Sequence, residues 1–141
     1  MALIKDQQLS QTYAKTPSLE FSQWLEDAPT GVDAVVATGD DDLTALLANV
    51  SQFSLIAIAF DTFADGRGYS MARMLRREGY QGEIRAVGDV AMDRIEYMHR
   101  VGFNAFELRE DQNPLEALKK ITEINVFYQP SADGNGPAYM G

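Results

Sequence analysis

Short apolar runs alternate with longer segments of helical periodicity along most of this chain. Apolar runs occupy residues 32–38, 54–60, 83–88 and 103–110, and after each of them apolar residues recur every three or four positions. A fifth short run, at residues 125–129, ends the series. Such alternation is typical of βαβ units, in which helices connect parallel strands. The pattern therefore predicts an α/β fold with a mainly parallel, five-stranded sheet and flanking helices.

Two architectures can be built from this pattern. The first is an open, flavodoxin-like sheet with helices packed against it. The alternative is a half-barrel, which would dimerise to bury its edges. The first 30 or so residues are less regular. Their spacing favours a hairpin that turns near residues 6–8 and a helix that contains Leu19 and Trp24.

The length of 141 residues fits a single domain, since domains typically hold roughly 100–150 residues. We expect residues 1–129 to form this domain, with the hairpin and the first helix inside residues 1–30. Residues 130–141 are rich in glycine and proline and have no apolar pattern. We expect them to form a mobile tail.

Composition removes several classes of function. The chain has no cysteine and one histidine, His99, which excludes disulfides, zinc–cysteine sites, iron–sulfur ligands and sites built from several histidines of one chain. No apolar run approaches the roughly 18 residues of a membrane span, and the first residues lack the apolar core of a signal peptide. The net charge of −9 disfavours nonspecific nucleic-acid binding. We expect a cytoplasmic protein without a metal site or a membrane or nucleic-acid partner.

The charge is unevenly distributed along the chain. Residues 67–100 carry seven arginines and five acidic residues, whereas residues 1–66 carry two basic and ten acidic residues. Arginine suits bidentate pairing with carboxylates and oxyanions. These arginines therefore either bind an anion or pair with the surplus acids of the chain.

Candidate functional residues follow the predicted strands, because ligands of parallel α/β sheets bind beyond the carboxyl ends of the strands. The helix after the second strand is expected to start at residues 68–70. Two glycines, at residues 66 and 68, flank Arg67 at this start. Glycines let the backbone bend towards a ligand, and a helix start favours an anion. The predicted anion-binding residues are Gly66, Arg67, Gly68, Tyr69, Ser70, Arg85 and Arg109.

Three carboxylates at the same edge, Asp61, Asp65 and Asp89, are candidates for a general acid–base or catalytic role. The alternative is that they cap helices and form salt bridges with Arg67, Arg85 and Arg94. Arg85 lies inside a predicted strand, where a buried guanidinium needs a carboxylate partner. Glu107, in the next predicted strand, is the expected partner.

Three segments carry a resemblance to a known family. They read FADGRGYS (63–70), GEIRAVGDV (82–90) and GFNAFEL (102–108), and they match the motifs F-x-D-G-R-G-[YF]-S, G-E-[LI]-R-A-V-G-D-V and G-F-[DN]-A-F-E-L. Together they resemble a bacterial family of unknown biochemical function whose members are labelled oxidoreductases of sulfite reduction. Where this family usually reads GDVLRDQ, the chain keeps Asp89 and Asp93 but has Ala91, Met92 and Arg94.

The resemblance implies an accessory protein of assimilatory sulfite reduction, with sulfite reductase components as partners and a small oxyanion as ligand. No redox motif accompanies it in the sequence, so no cofactor is assigned. One alternative is an enzyme whose Asp/Arg site acts on a phosphorylated or sulfonated small molecule. The other is a homodimeric interaction scaffold that uses the helical segment 89–101.

Overall fold

We describe the protein from a computed structural model. The residues that it describes are 2–6, 8–9, 17, 19–27, 29–60, 66–108 and 113–119. The predicted strand at residues 125–129 and the predicted tail at 130–141 lie outside these residues.

A hairpin opens the chain, as its sequence predicts. Strand β1 (Ala2–Lys5) pairs antiparallel with the short strand β2 (Gln8–Leu9). Asp6 lies in the turn with a φ of 51°. Aspartate is one of the few residue types that adopt this left-handed conformation at modest cost, and it permits the tight reversal.

Four parallel strands form the body of the sheet. They are β3 (Ala34–Ala37), β4 (Leu55–Phe60), β5 (Glu83–Gly88) and β6 (Ala105–Leu108). Strand β1 lies antiparallel beside β6, which completes a five-stranded, mostly parallel sheet, and β2 adds two residues at its edge. The α/β fold class with one mainly parallel sheet is therefore confirmed.

Five helices precede, connect or follow these strands in the described part of the chain. They are α1 (Phe21–Asp27), α2 (Leu43–Ala48), α3 (Gly66–Arg77), α4 (Met92–Val101) and α5 (residues 114–119), with a short 3-10 turn at Val50–Gln52. Asp42 caps α2 by accepting hydrogen bonds from the N–H groups of Thr44 and Ala45. Gly79 and Gly102, both with positive φ, follow the ends of α3 and α4.

The strand order is β2-β1-β6-β5-β4-β3, so the four parallel strands follow one another across the sheet. This order differs from the 2-1-3-4-5 order of flavodoxin-like sheets, which reverses at their binding crevice. Right-handed crossovers between strands in sequential order place all connecting helices on one face. The core agrees, because its sheet residues all belong to that face: Ile4, Val35, Ala37, Ile56, Ile58, Phe60, Ile84, Ala86, Phe106 and Leu108.

The opposite face of the sheet, which we call the second face, has a different composition. One row across it consists of Lys5, Ala105, Arg85, Ala57 and Val36. The two alanines beside Arg85 leave room for its long side chain to lie over the sheet. The helix face thus supplies the apolar core, whereas the second face carries buried charge.

Candidate functional site

The segment around Arg67 is helical, not a turn. Helix α3 begins at Gly66, two residues before the predicted start, so Gly66, Arg67 and Gly68 belong to its first turn. Neither glycine is among those with positive φ. A Cβ at residue 68 would lie 2.6 Å from Phe60 Cε1, so Gly68 allows α3 to pack closely on β4. The predicted helix start was therefore wrong by two residues, whereas the role of these glycines in anion binding stays a prediction.

The Arg67 side chain lies on the surface at the carboxyl edge of the sheet. Its Nη1 is 2.8 Å from Asp40 Oδ1, and both side chains are largely exposed. Exposed ion pairs of this kind contribute little to stability, about 0–1 kcal/mol. The contact links the first turn of α3 to the loop between β3 and α2. Two other predicted residues, Asp61 and Asp65, lie outside the described part of the chain.

Beside this turn, two helices bring together a group that we call the carboxyl-edge corner: Tyr69, Asp89, Arg94 and Tyr97. The Tyr69 ring packs against Phe60 and meets the Tyr97 ring edge to face, with centroid distances of 5.1 Å in both pairs. Helix α3 supplies Tyr69, and α4 supplies Arg94 and Tyr97. The corner therefore lies where α3 and α4 begin, beyond the ends of β4 and β5.

Arg94 is the electrostatic centre of the corner. Its Nη1 is 3.5 Å from Asp89 Oδ2, and the two side chains are 28% and 13% exposed. This Nη1 atom is buried and has no hydrogen-bond partner among the described residues. Burial raises the pKa of Tyr69, and the charge of Arg94 with a side-chain hydrogen bond to the phenol opposes that rise. The guanidinium therefore contacts both the phenol and the carboxylate.

The backbone fixes Asp89 in this position. Gly88 has a φ of 87°, and a Cβ at this residue would overlap the carbonyl oxygen of Phe60. The Asp89 N–H donates to that same carbonyl at 2.8 Å. Asp89 does not cap α4, because the N-cap is Ala91, which makes no side-chain hydrogen bond there. The capping alternative considered for Asp89 is therefore wrong, whereas its salt bridge with Arg94 is present.

Arg85 belongs to a separate group on the second face, which we call the second-face cluster: Lys5, Glu83, Arg85 and Glu107. Arg85 is 2% exposed; its Nε is 2.8 Å from Glu83 Oε2, and its Nη1 is 3.3 Å from Glu107 Oε2. Lys5 Nζ lies 3.0 Å from Glu83 Oε1. The expected pairing of Arg85 with Glu107 is thus confirmed. The structure does not bring Arg85 together with Arg67, because α3 packs on the opposite face.

A cleft of about 590 Å³ lies beside the second-face cluster, near the amino ends of the parallel strands. Three residues of this cluster, Lys5, Glu83 and Arg85, line the cleft together with apolar and polar side chains that include Leu3, Leu55, Asp33 and Asn104. Asp33 accepts a hydrogen bond from Ser54 Oγ at 2.9 Å, and Asn104 Oδ1 accepts one from the Ile84 N–H at 2.9 Å.

Several remaining candidates have structural roles or no described position. Arg76, on the basic face of α3, donates to the carbonyls of Tyr80, Gly82 and Gly102 at 2.9 Å each and thereby holds the end of α4. Ser70 is exposed, and Arg109 lies outside the described residues. The described residues contain no cluster of three acidic or histidine side chains that could hold a metal ion. None of the described helices is long and apolar enough to cross a membrane.

Two residues of the corner, Tyr97 and Arg94, were not among the site residues predicted from the sequence, and Arg94 is the more important of the two. In the sequence, Arg94 differs from the usual GDVLRDQ motif and is a possible salt-bridge partner of the candidate aspartates. The available signal was its position in the first turn of a helix that follows a strand end, close to Asp89. That signal does not reveal Tyr69 or Tyr97 as neighbours, because helix packing creates those contacts.

The family of the chain follows from a comparison with known protein families. A family model described as bacterial protein of unknown function (DUF934) matches residues 34–139. This match covers well over half of the chain, so the protein belongs to that family. The matched region includes every residue of the carboxyl-edge corner, whereas β1 with Lys5 precedes it. No curated protein and no solved structure matches the chain.

Proposed function

We propose that this protein binds a small oxyanion at the carboxyl-edge corner and acts as an accessory of assimilatory sulfite reduction. The observation that carries the binding proposal is the buried Nη1 of Arg94, which has no hydrogen-bond partner among the described residues. Leaving a buried donor of a charged group unsatisfied costs about 1–3 kcal/mol or more. Such a cost is expected at a site where a ligand supplies the missing acceptor.

The surroundings of Arg94 suit an anion. The Tyr69 hydroxyl is a second donor beside it, and Tyr69 lies in the first turn of α3. The first N–H groups of a helix lack partners within that helix and carry the positive end of its dipole. Arg67 in the same turn adds a second positive charge, although it also pairs with Asp40. The two arginines, the Tyr69 hydroxyl and the start of α3 therefore favour an anion at this edge of the sheet, and the Asp89 carboxylate opposes it.

The pathway part of the proposal rests on the family resemblance of the three motif segments. In this role the ligand is sulfite or a related oxyanion, and sulfite reductase components are the partners. Deletion of the gene, followed by growth on sulfate, sulfite or sulfide as the sulfur source, tests this part. We expect slower growth on sulfate and sulfite than on sulfide. Equal growth on all three sources would count against the pathway while leaving anion binding open.

Calorimetric titration with sulfite and phosphate tests the binding part. We expect dissociation constants between about millimolar and micromolar, which corresponds to roughly −4 to −8 kcal/mol. Arg94→Gln should weaken binding by at least about 1.5 kcal/mol, the low end for hydrogen bonds to charged groups. Arg67→Ala should have a smaller effect, because its side chain is largely exposed.

Arg77→Ala provides the matched control, because Arg77 is an exposed arginine at the far end of the same helix. This variant changes the net charge by the same amount and should leave affinity nearly unchanged. Equal losses in Arg94→Gln and Arg77→Ala would mean that the anion responds to net charge alone, and the corner would then not be the site.

A further inference from the structure

We propose that Asp89 determines which oxyanion the carboxyl-edge corner binds, by accepting a hydrogen bond from an anion that carries a proton. The inference rests on the proposed function and narrows its ligand class to protonated oxyanions, such as hydrogen phosphate and hydrogen sulfite. Fully deprotonated sulfate falls outside that class.

The position of Asp89 makes it a neighbour of any anion that reaches Arg94. Its Oδ2 lies 3.5 Å from Arg94 Nη1, the donor without a hydrogen-bond partner among the described residues. An oxygen of the ligand that accepts from this nitrogen would bring a second ligand oxygen close to the Asp89 carboxylate. The Asp89 side chain is only 13% exposed, so water screens this approach poorly.

An ionised carboxylate can only accept hydrogen bonds, and so can every oxygen of sulfate. Sulfate at this corner would therefore place acceptor against acceptor and negative charge against negative charge. Hydrogen phosphate carries a proton at neutral pH, and sulfite is then present in part as hydrogen sulfite, which carries one as well. Such an anion can donate this proton's hydrogen bond to Asp89 while its other oxygens accept from Arg94 and Tyr69.

Hydrogen bonds hold the backbone around Asp89 in place. The N–H groups of Asp89 and Val90 donate to the carbonyls of Phe60 and Gly88 at 2.8 and 2.9 Å. Gly88 has a positive φ and lies so close to the Phe60 carbonyl that a Cβ would overlap it. The backbone of Asp89 is therefore fixed, which keeps its carboxylate within reach of Arg94 and of an anion bound there.

Titration of the full-length protein with phosphate, sulfite and sulfate, at one neutral pH and equal ionic strength, tests the inference. We expect phosphate and sulfite to bind at least about tenfold tighter than sulfate, the value of one weak charge-assisted hydrogen bond. Charge alone would give sulfate no such disadvantage, because sulfate is fully doubly charged. This measurement uses the wild-type chain and needs no variant.

Two variants separate the hydrogen-bonding role of the Asp89 carboxylate from the effect of its negative charge. Asp89→Asn offers an amide N–H that can donate to sulfate, so the preference for phosphate over sulfate should fall at least about fivefold, with thermal unfolding used to verify the fold. Asp93→Asn removes the same charge from an exposed position in the first turn of α4. It should strengthen binding of all three anions alike and keep the preference.

The outcomes distinguish this inference from the proposed function. Sulfate binding as tight as phosphate binding would overturn the role of Asp89 and leave oxyanion binding standing. An unchanged preference in a folded Asp89→Asn variant would overturn it as well. The absence of binding for all three anions would remove both the site and its selectivity.

Discussion

Arg85 and Arg94 each pair with a carboxylate, yet Arg85 is more deeply buried and the two guanidinium groups have very different partners. Arg85 lies on the second face between two carboxylates, Glu83 and Glu107, and is 2% exposed. Arg94 has one carboxylate neighbour at 3.5 Å and a buried nitrogen without a hydrogen-bond partner among the described residues. Both arginines come from the one basic segment of an acidic chain.

The difference separates a structural arginine from a candidate binding arginine. The charges of Arg85 are neutralised by the protein itself, so a ligand would have to displace a carboxylate to reach it. Buried ion pairs stabilise little in net terms, but breaking one leaves an uncompensated buried charge. At Arg94 a buried nitrogen has no hydrogen-bond partner among the described residues, so a ligand can supply an acceptor there without replacing a carboxylate. Three experiments test this difference.

The largest effect is expected from Arg85→Met. The substitution leaves two carboxylates, Glu83 and Glu107, without their shared cation in a buried environment. We expect the free energy of unfolding to fall by about 3–5 kcal/mol, measured by urea denaturation. Arg94→Met is the control and should change it by less than about 1 kcal/mol, as for a partly exposed pair. Similar losses in both variants would contradict the comparison.

A smaller effect is expected from Gly88→Ala, which tests whether the backbone holds Asp89 in the corner. The new Cβ would combine a positive φ with overlap of the Phe60 carbonyl, so we expect a loss of roughly 3 kcal/mol and weaker anion binding. Gly79→Ala has a positive φ but nothing within 4 Å of its Cβ. It should cost only about 1–2 kcal/mol. Equal losses in the two variants would show that the contact with Phe60 carries no constraint.

The smallest effect concerns His99, on the same helix as Arg94. Burial lowers the pKa of His99 below its ordinary value of 6.5. As the pH falls below 6.5, the unfolded chain takes up a proton before the folded one, so stability is lost as the pH falls through the folded pKa. An NMR titration of this single histidine measures the shift. A pKa above 6.5 would contradict it and would add a positive charge to α4 in the pH range of anion binding.

The local sequence pattern predicted an element well where residue type and spacing alone mark it. The hairpin near residues 6–8, the strands β4 and β5, and the glycines behind α3 and α4 all follow from periodicity and turn chemistry. The start of α3 was misplaced because Gly68 was interpreted as a flexible turn residue. Its actual constraint is the Phe60 ring, and that contact exists only once α3 packs on β4.

For this protein the sequence alone determined the α/β class, the alternation of strands with helices, and the need of Arg85 for a carboxylate in the next strand. These properties depend on residue type and spacing, which local backbone preferences and burial translate directly into structure. Three features follow from the tertiary structure: the helices share one face, Arg85 lies on the face opposite to the helix of Arg67, and Arg94 contacts Tyr69. Those contacts join residues far apart in the chain, and strand order with helix packing, not local pattern, brings such residues together.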